Sequence, residues 1–442
     1  MPAGRQTNRV SRRNMLKKIA PSQVELGMFV HKLEGSWLKH PFWKSRFLLE
    51  DSETLTDLRD SEIDAVVIDV SKGRDVAPRH SGEAGQAPVR RVFSPPTQGP
   101  APRRRQLVNQ EDKPDFASTA RTGMAREFGM AQSVAKRGEK LVSKVFLSSR
   151  LGKAVDASEV EPVISDIFAS VQRNPHAFNG LMRCKRDNQF IYQHSLAVSA
   201  LMISLGKAMK LGPAMIRNAG MAGLLLDVGI GHLPLNLEEC NGDYREFGDA
   251  LLLNHTTLGY DYLKMGGGIP DDVALVALQH HERMDGSGYP HGIKGEDISV
   301  LSRMAAICDT YDMLVTDSSR KRGLDPATAV VELSEMHGKF DPAILAAFVE
   351  AVGAYPIGSV VRLASDRLAL VVDQDPADHR QPRVRTFFSI ALRKMIQPED
   401  IQLAHCFGRD SISGLADPEA YGIRDFAKLR LRLFTAASKA AG

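Results

Sequence analysis

The chain has 442 residues, is 43% hydrophobic and 25% charged, and carries a net charge of +4. This is the length of two or three domains and the composition of a globular protein, which excludes an intrinsically disordered chain. No uncharged apolar run approaches the ~20 residues a membrane span needs, and no apolar segment follows the basic N-terminus as a secretory signal requires. Cys184, Cys240, Cys308 and Cys406 are scattered without a CxxC pair. That points to a reducing compartment, a cytoplasmic protein and no thiolate metal site.

Charge is unevenly placed. Residues 1–19 and 71–106 each carry a net +6, which leaves −8 for the rest. Neither basic stretch has periodicity or interleaved aromatics, so both read as solvated segments rather than nucleic-acid interfaces, and no nucleic-acid partner is expected. Residues 1–21 form a basic tail. Residues 22–70 alternate short apolar and polar runs, such as Met28-Phe29-Val30 and Ala65-Val66-Val67-Ile68, and predict a small β-rich domain. The Pro/Arg/Gly-rich stretch 71–120 predicts a linker.

From 121 to 352 the pattern is helical. Around His194, the positions Ile191, Val198, Leu201, Met202 and Leu205 follow i, i+3, i+4 spacing. Pro213 suits the first residue of a second helix. A third carries Leu251, Leu252, His255, Leu258 and Tyr262. A fourth starts after Pro270 with Asp271 and Asp272, which suit a positive helix N-terminus, and runs to His280 and His281. A fifth runs Leu301, Met304, Ala305, Cys308, Tyr311, Asp312, Val315. Beyond Pro356, Ser359–Leu363, Leu368–Val372 and Val384–Ile390 predict strands, so residues 353–442 form a small β-containing domain that ends in a helix. The fold class is therefore α+β and multidomain, with a helical bundle between two small β-containing domains.

Six nitrogen and carboxylate donors fall on or beside otherwise apolar helix faces: His194, Asp227, His255, His280, His281 and Asp309. Asp309 lies inside Met304-Ala305-Ala306-Ile307-Cys308, where an uncompensated carboxylate would cost several kcal/mol by order of magnitude. Singly, each has an ordinary explanation as a core histidine or a helix cap. Together they suit one or two first-row metal ions held between helices.

The order His194, Asp227, His255, His280-His281-Glu282, Asp285-Gly286-Ser287-Gly288-Tyr289-Pro290, Asp309 resembles the HD-GYP branch of the HD phosphohydrolases, bacterial phosphodiesterases that hydrolyse cyclic di-GMP. Tyr192-x-His194-Ser195 and Gly292-x-x-Gly295-Glu296 match the family's flanks, and residues 22–70 resemble a domain of unknown function often found ahead of it. The resemblance implies that His194, Asp227 and Asp309 hold one divalent ion. It also implies that Asp227 bridges to a second ion completed by His255, His280 and His281, with iron or manganese the expected metal. It further implies that Asp227 and Lys321 take part in catalysis. Lys321 would hold a phosphate, and Asp285, Gly286, Gly288, Tyr289 and Pro290 would face substrate or a GGDEF-type diguanylate cyclase.

Four positions depart from the pattern. Leu226 stands where the family's name-giving His belongs, Ile230 where a Lys belongs, Ser318 where an Arg belongs, and Phe190 where members with a third metal carry Glu. His232 reads as a solvent-facing loop histidine. The expectation is a cyclic di-GMP phosphodiesterase with an incomplete metal site and impaired hydrolysis. The alternative is a catalytically silent protein that binds cyclic di-GMP or docks a signalling partner.

Overall fold

The structure, a computed structural model, describes residues 16–34, 47–49, 65–74, 122–184, 190–235, 243–318, 321–375, 378–406 and 408–439, with isolated positions between 52 and 59. It is an α+β protein with two antiparallel sheets flanking a helical bundle. Nearly all of the stretch expected to be a linker, from 75 to 120, lies outside the described residues, as do Cys240 and the first fifteen residues.

The N-terminal sheet has strands β1 (Leu16–Ile19), β2 (Phe29–Glu34), β3 (Phe47–Leu48) and β4 (Ala65–Asp69), in the order β1-β4-β2-β3. Its first strand corrects the expected boundary at 21. Leu16–Ile19 lies within the basic stretch yet pairs with β4, from Leu16 opposite Asp69 to Ile19 opposite Val66. Ile19, Val24, Met28, Val30, Val66 and Ile68 form the small core beneath. A basic pair, Lys17-Lys18, is compatible with an edge strand because the long stems can leave the sheet while the backbone pairs.

The bundle begins with α1 (Met124–Arg150), α2 (Ala157–Arg173) and α3 (Ala177–Cys184). A buried charge locks the first two together. Glu127, fully buried on α1, accepts from Arg173 Nε at 2.7 Å and Nη2 at 2.8 Å, and from Ser170 Oγ at 2.8 Å, all on α2. At the centre lies α4 (Phe190–Ala208), buried on all sides as its unbroken apolar composition requires. Against it packs α5 (Pro213–Leu225), with Pro213 in its first turn as expected. The two backbones approach closely, since a Cβ on Gly223 would lie 2.9 Å from Ser199 Cα.

The expected third helix is two pieces, α6 (Asp249–Leu252) and α7 (His255–Met265), interrupted just before His255. Then come α8 (Asp271–Gln279) and α9 (Val300–Val315), the latter capped by Ser299, whose hydroxyl accepts from Ser302 N–H. Two Asp-Pro pairs start the last helices, α10 (Pro326–Glu335) and α11 (Pro342–Val352). Asp325 and Asp341 accept from the first-turn N–H groups, and Pro fits the position whose N–H has no helical partner.

The C-terminal sheet has strands β5 (Val360–Leu363), β6 (Arg367–Asp373), β7 (Arg383–Ser389), β8 (Lys394–Gln402) and β9 (Ile412–Leu415), in the order β8-β7-β6-β5-β9. The last two strands carry no apolar run, and the sequence pattern missed them. The closing helix α12 (Phe426–Lys439) returns to α1, where Phe434 stacks on Phe128 with ring centroids 6.0 Å apart. Among the described residues no helix is long and apolar enough to cross a membrane.

Removing the guanidinium from Arg173 leaves the Glu127 carboxylate buried without its main partner. Arg173→Met is expected to destabilise the fold by roughly 3 kcal/mol, read as a shift in the urea unfolding midpoint. An unchanged midpoint would show that the pair holds nothing.

Candidate metal centre

Five elements converge on one buried cluster. His194 comes from α4, Asp227 from the turn that ends α5, and His255 from the start of α7. His280 and His281 follow the end of α8, and Asp309 lies in α9. His194, Asp227, His255, His280 and Asp309 are each at most 3% exposed, and His281 is partly exposed. The six predicted donors are thus brought together.

Their hydrogen-bond partners fix how the rings point. His255 Nδ1 meets the Leu252 carbonyl at 2.5 Å, and His280 Nδ1 meets the Val276 and Ala277 carbonyls at 3.1 Å each. A carbonyl can only accept, so Nδ1 carries the hydrogen in both rings. In the neutral rings the Nε2 atoms are then lone pairs, and they face each other at 3.2 Å. Asp227 Oδ1 lies 3.4 Å from one and 3.6 Å from the other. One ligand atom from each of His255, His280 and His281 falls within 4.8 Å of the others.

The second half of the cluster is built on His194. Its Nδ1 pairs with Asp312 Oδ2 at 2.9 Å. Its Nε2 lies 3.1 Å from Asp309 Oδ1 and 3.4 Å from Asp227 Oδ2, within ion-pair reach of both but aligned for a hydrogen bond to neither. Nitrogens and carboxylate oxygens converging on one buried point are the arrangement a cation fits, and imidazole with carboxylate suits a first-row divalent ion.

The electrostatics agree. Burial disfavours the His194 imidazolium, but contact with Asp309 and Asp312 prevails and raises its pKa to about 10. Burial likewise opposes charge on Asp227, yet its close contacts with the His255, His280 and His194 rings hold its carboxyl well below the usual range. The His281 pKa is pushed well down, first by burial and then by the neighbouring imidazoles.

Backbone contacts set the spacing. A Cβ on Gly229 would lie 1.9 Å from the His255 carbonyl oxygen, so the turn after Asp227 (Val228–His232) sits directly on α7. A Cβ on Gly288 would lie 2.4 Å from the His281 carbonyl oxygen, and Gly286 has φ +82°. The loop between them folds against the two histidines, and Tyr289 stacks on the His281 ring at 4.6 Å with a cis bond to Pro290. Asp285 is spent on the loop itself. It accepts from Ser287 N–H and pairs with Lys339 at 3.1 Å, and these contacts hold its pKa down to about 2. Beside His281 opens a cleft of about 550 Å³, lined by Arg283, Tyr289, Lys339 and Phe340 among others.

Two domain signatures match the chain, a domain of unknown function (DUF3391) over residues 16–160 and an HD domain over 179–344. A cyclic di-GMP phosphodiesterase of Pseudomonas aeruginosa, PA4108, is 37% identical over 416 residues, covering 94% of this chain and 95% of that protein. The chain belongs to the HD-GYP family. The cyclic di-GMP phosphodiesterase PdeB of Borreliella burgdorferi is 24% identical over 43% of this chain and 50% of its own length. The solved structure of Bd1817, an HDG"Y"P protein from Bdellovibrio bacteriovorus, covers 76% of this chain and 98% of its own at 17% identity, with a TM-score of 0.43.

The positions that depart from the HD-GYP pattern are filled, not empty. Leu226 and Ile230 are buried in the main apolar core. Phe190 stacks on the His194 ring at 5.3 Å, and the Arg245 guanidinium lies over the Phe190 ring, 3.8 Å from its centroid, in a cation–π contact. Ser318 hydrogen-bonds Lys321 N–H at 2.9 Å within the loop after α9, and the Lys321 side chain is exposed. His232 is not the solvent-facing histidine expected. It is half-buried, its ring lies 5.3 Å from that of Tyr262, and burial lowers its pKa.

Sequence reasoning missed three residues of this HD-GYP site. Asp312, which orients His194, was legible, because it lies one helical turn beyond Asp309 on the same face. Tyr244 donates to Asp227 Oδ2 at 2.5 Å from a short helical turn (Tyr244–Glu246), and Arg245 follows it. Neither carries a periodicity that could have found it. Burial, followed by the charges of Asp227 and Asp309, pushes the Tyr244 phenol far up, so it remains a donor.

Gly229→Ala is expected to force the turn after Asp227 away from α7, destabilising the fold by roughly 1–3 kcal/mol and lowering bound metal. Thermal unfolding and elemental analysis of the purified variant check both; wild-type metal content would show that the close approach does not set the site.

Proposed function

We propose that this chain is a metal-dependent cyclic di-GMP phosphodiesterase, hydrolysing its substrate to the linear dinucleotide, with turnover slowed by an incomplete metal site. The observation that carries the reading is the pair of His255 and His280 Nε2 atoms facing each other at 3.2 Å beside the Asp227 carboxylate. In a dry interior that arrangement is unfavourable until a cation lies among the three.

His255, His280, His281 and Asp227 would hold one ion, and His194, Asp227 and Asp309 the other. The nitrogen and carboxylate donors, with no thiolate among them, suit iron or manganese. When bound, such ions neutralise phosphoryl charge and lower the pKa of water, which a phosphodiester hydrolysis at neutral pH requires. Asp312 keeps His194 Nε2 turned toward the carboxylates. The cleft beside His281 falls in the size range of small-ligand sites, and Arg283 gives its wall positive charge for the phosphates, next to Lys339, which pairs with Asp285. Lys321, exposed in the loop after α9, serves as a further phosphate contact.

The second half is the weaker one. Leu226 supplies no donor, so three side chains do the work of four, and losses even beyond the direct ligands at metal sites commonly cost about 10–100-fold in affinity or activity. A silent role in binding cyclic di-GMP, or in docking a GGDEF-type cyclase on the loop that carries Tyr289 and Pro290, is the competing reading that this deficit favours.

Fewer than two tightly held ions per chain are expected from elemental analysis after purification, with slow conversion of cyclic di-GMP to the linear dinucleotide. Asp227→Ala should abolish both. Binding of cyclic di-GMP without metal or turnover would move the chain to the silent role. Leu226→His is expected to raise metal content, and to raise the rate by about tenfold or more. No gain in either would place the deficit at Ile230 or Ser318 instead.

A further inference from the structure

The two oxygens of Asp227 serve different halves of the cluster. Oδ1 faces His255 and His280, whereas Oδ2 faces His194 Nε2 at 3.4 Å. The Tyr244 hydroxyl donates to Oδ2 at 2.5 Å. The phenol is therefore on the side that lacks an imidazole because residue 226 is Leu.

Its place is set from several directions. The Tyr244 ring meets Phe190 edge-on at 5.4 Å, and Phe190 stacks on His194. Arg245, the next residue, lies over Phe190 and donates to Asp243 Oδ1 and Oδ2 at 2.7 Å each. It also donates to the Thr316 and Asp317 carbonyls, just past the end of the helix that carries Asp309. Tyr244 is 4% exposed. The segment 243–245 thus fastens the N-terminal end of α4 to the C-terminal end of α9 and delivers one hydroxyl to one carboxylate oxygen.

We infer that Tyr244 is a positioning residue for the His194 half, holding Asp227 Oδ2 turned toward His194 and Asp309 so that this half still takes a divalent ion without the missing imidazole. The inference rests on the metal-binding reading above. A carboxylate oxygen has two lone pairs; the phenol occupies one and leaves the other for a cation. It also stops the carboxylate from rotating, a freedom that Leu226, with no polar atom, cannot restrain. Hydrogen-bonded carboxylates of this kind keep their ligand geometry because the partner outside the site orients them.

The test is a Mn(II) titration of the metal-free full chain by calorimetry, followed by the same titration of Tyr244→Phe. The wild-type chain should show a tight event and a weaker one. In the variant the weaker event should lose about 10–100-fold in affinity while the tight event moves less than about twofold. Equal weakening of both events would make Tyr244 a general structural residue, and no weakening would make its contact incidental; either overturns the inference. Should Tyr244→Phe not fold, Arg245→Met carries the test. It keeps the hydroxyl but frees the segment from Asp243, Thr316 and Asp317, and a loss confined to the weaker event is again required. A wild-type chain with the tight event alone would sink the inference and leave the proposed function standing. A chain that takes no Mn(II) would sink both.

Discussion

Two imidazole nitrogens, each with its hydrogen pointed away toward a backbone carbonyl, face one another across 3.2 Å in a water-poor interior. That confrontation is the constraint on which the remainder of the structure bears. It is tolerable only with positive charge between the rings, and the carboxylates nearby supply negative charge around that point. Asp227 lies beside both nitrogens and also reaches His194. His194 in turn is aimed by Asp312 and reaches Asp309. The bundle exists to bring five separated pieces of chain to one place, and its apolar helix faces are the means.

The cluster is not symmetric. The half built on His255, His280 and His281 has its donors on two adjoining elements backed by the folded glycine loop. The half built on His194 depends on three long-range contacts and sits among aromatic groups. Phe190 lies flat against the His194 ring, Arg245 covers Phe190, and Tyr244 enters from the side. The residues at the positions that depart from the family pattern are part of the packing. Leu226 and Ile230 belong to the apolar core.

Much of this was legible in the residues before any coordinates. The helical stripes around His194 and Leu301 placed two of the central helices, because a 3.6-residue period and a buried face are the same fact seen twice. Pro213 marked a helix start. The donors were visible because His and Asp on apolar faces conflict with burial unless something pairs them. What stayed hidden has physical causes. Strand β1 carries two lysines, whose long stems mask a paired backbone. Strands β8 and β9 are largely polar and half-exposed, so no alternation betrays them. The interruption before His255 leaves the apolar pattern unchanged, since Leu251 and Leu252 continue it in sequence though not in one helix. Tyr244 was invisible because its importance comes from a contact seventeen residues back along the chain at Asp227, made from a turn too short to carry a pattern.

The seating of Gly229 against the His255 carbonyl has a structural consequence. There, main chain rests on main chain, so the gap between Asp227 and His255 is set without help from the side chain at 226. Architecture and donor chemistry are set separately. The side chain at 226 can therefore change without moving this turn, and the bundle does not by itself dictate how many donors the cluster holds.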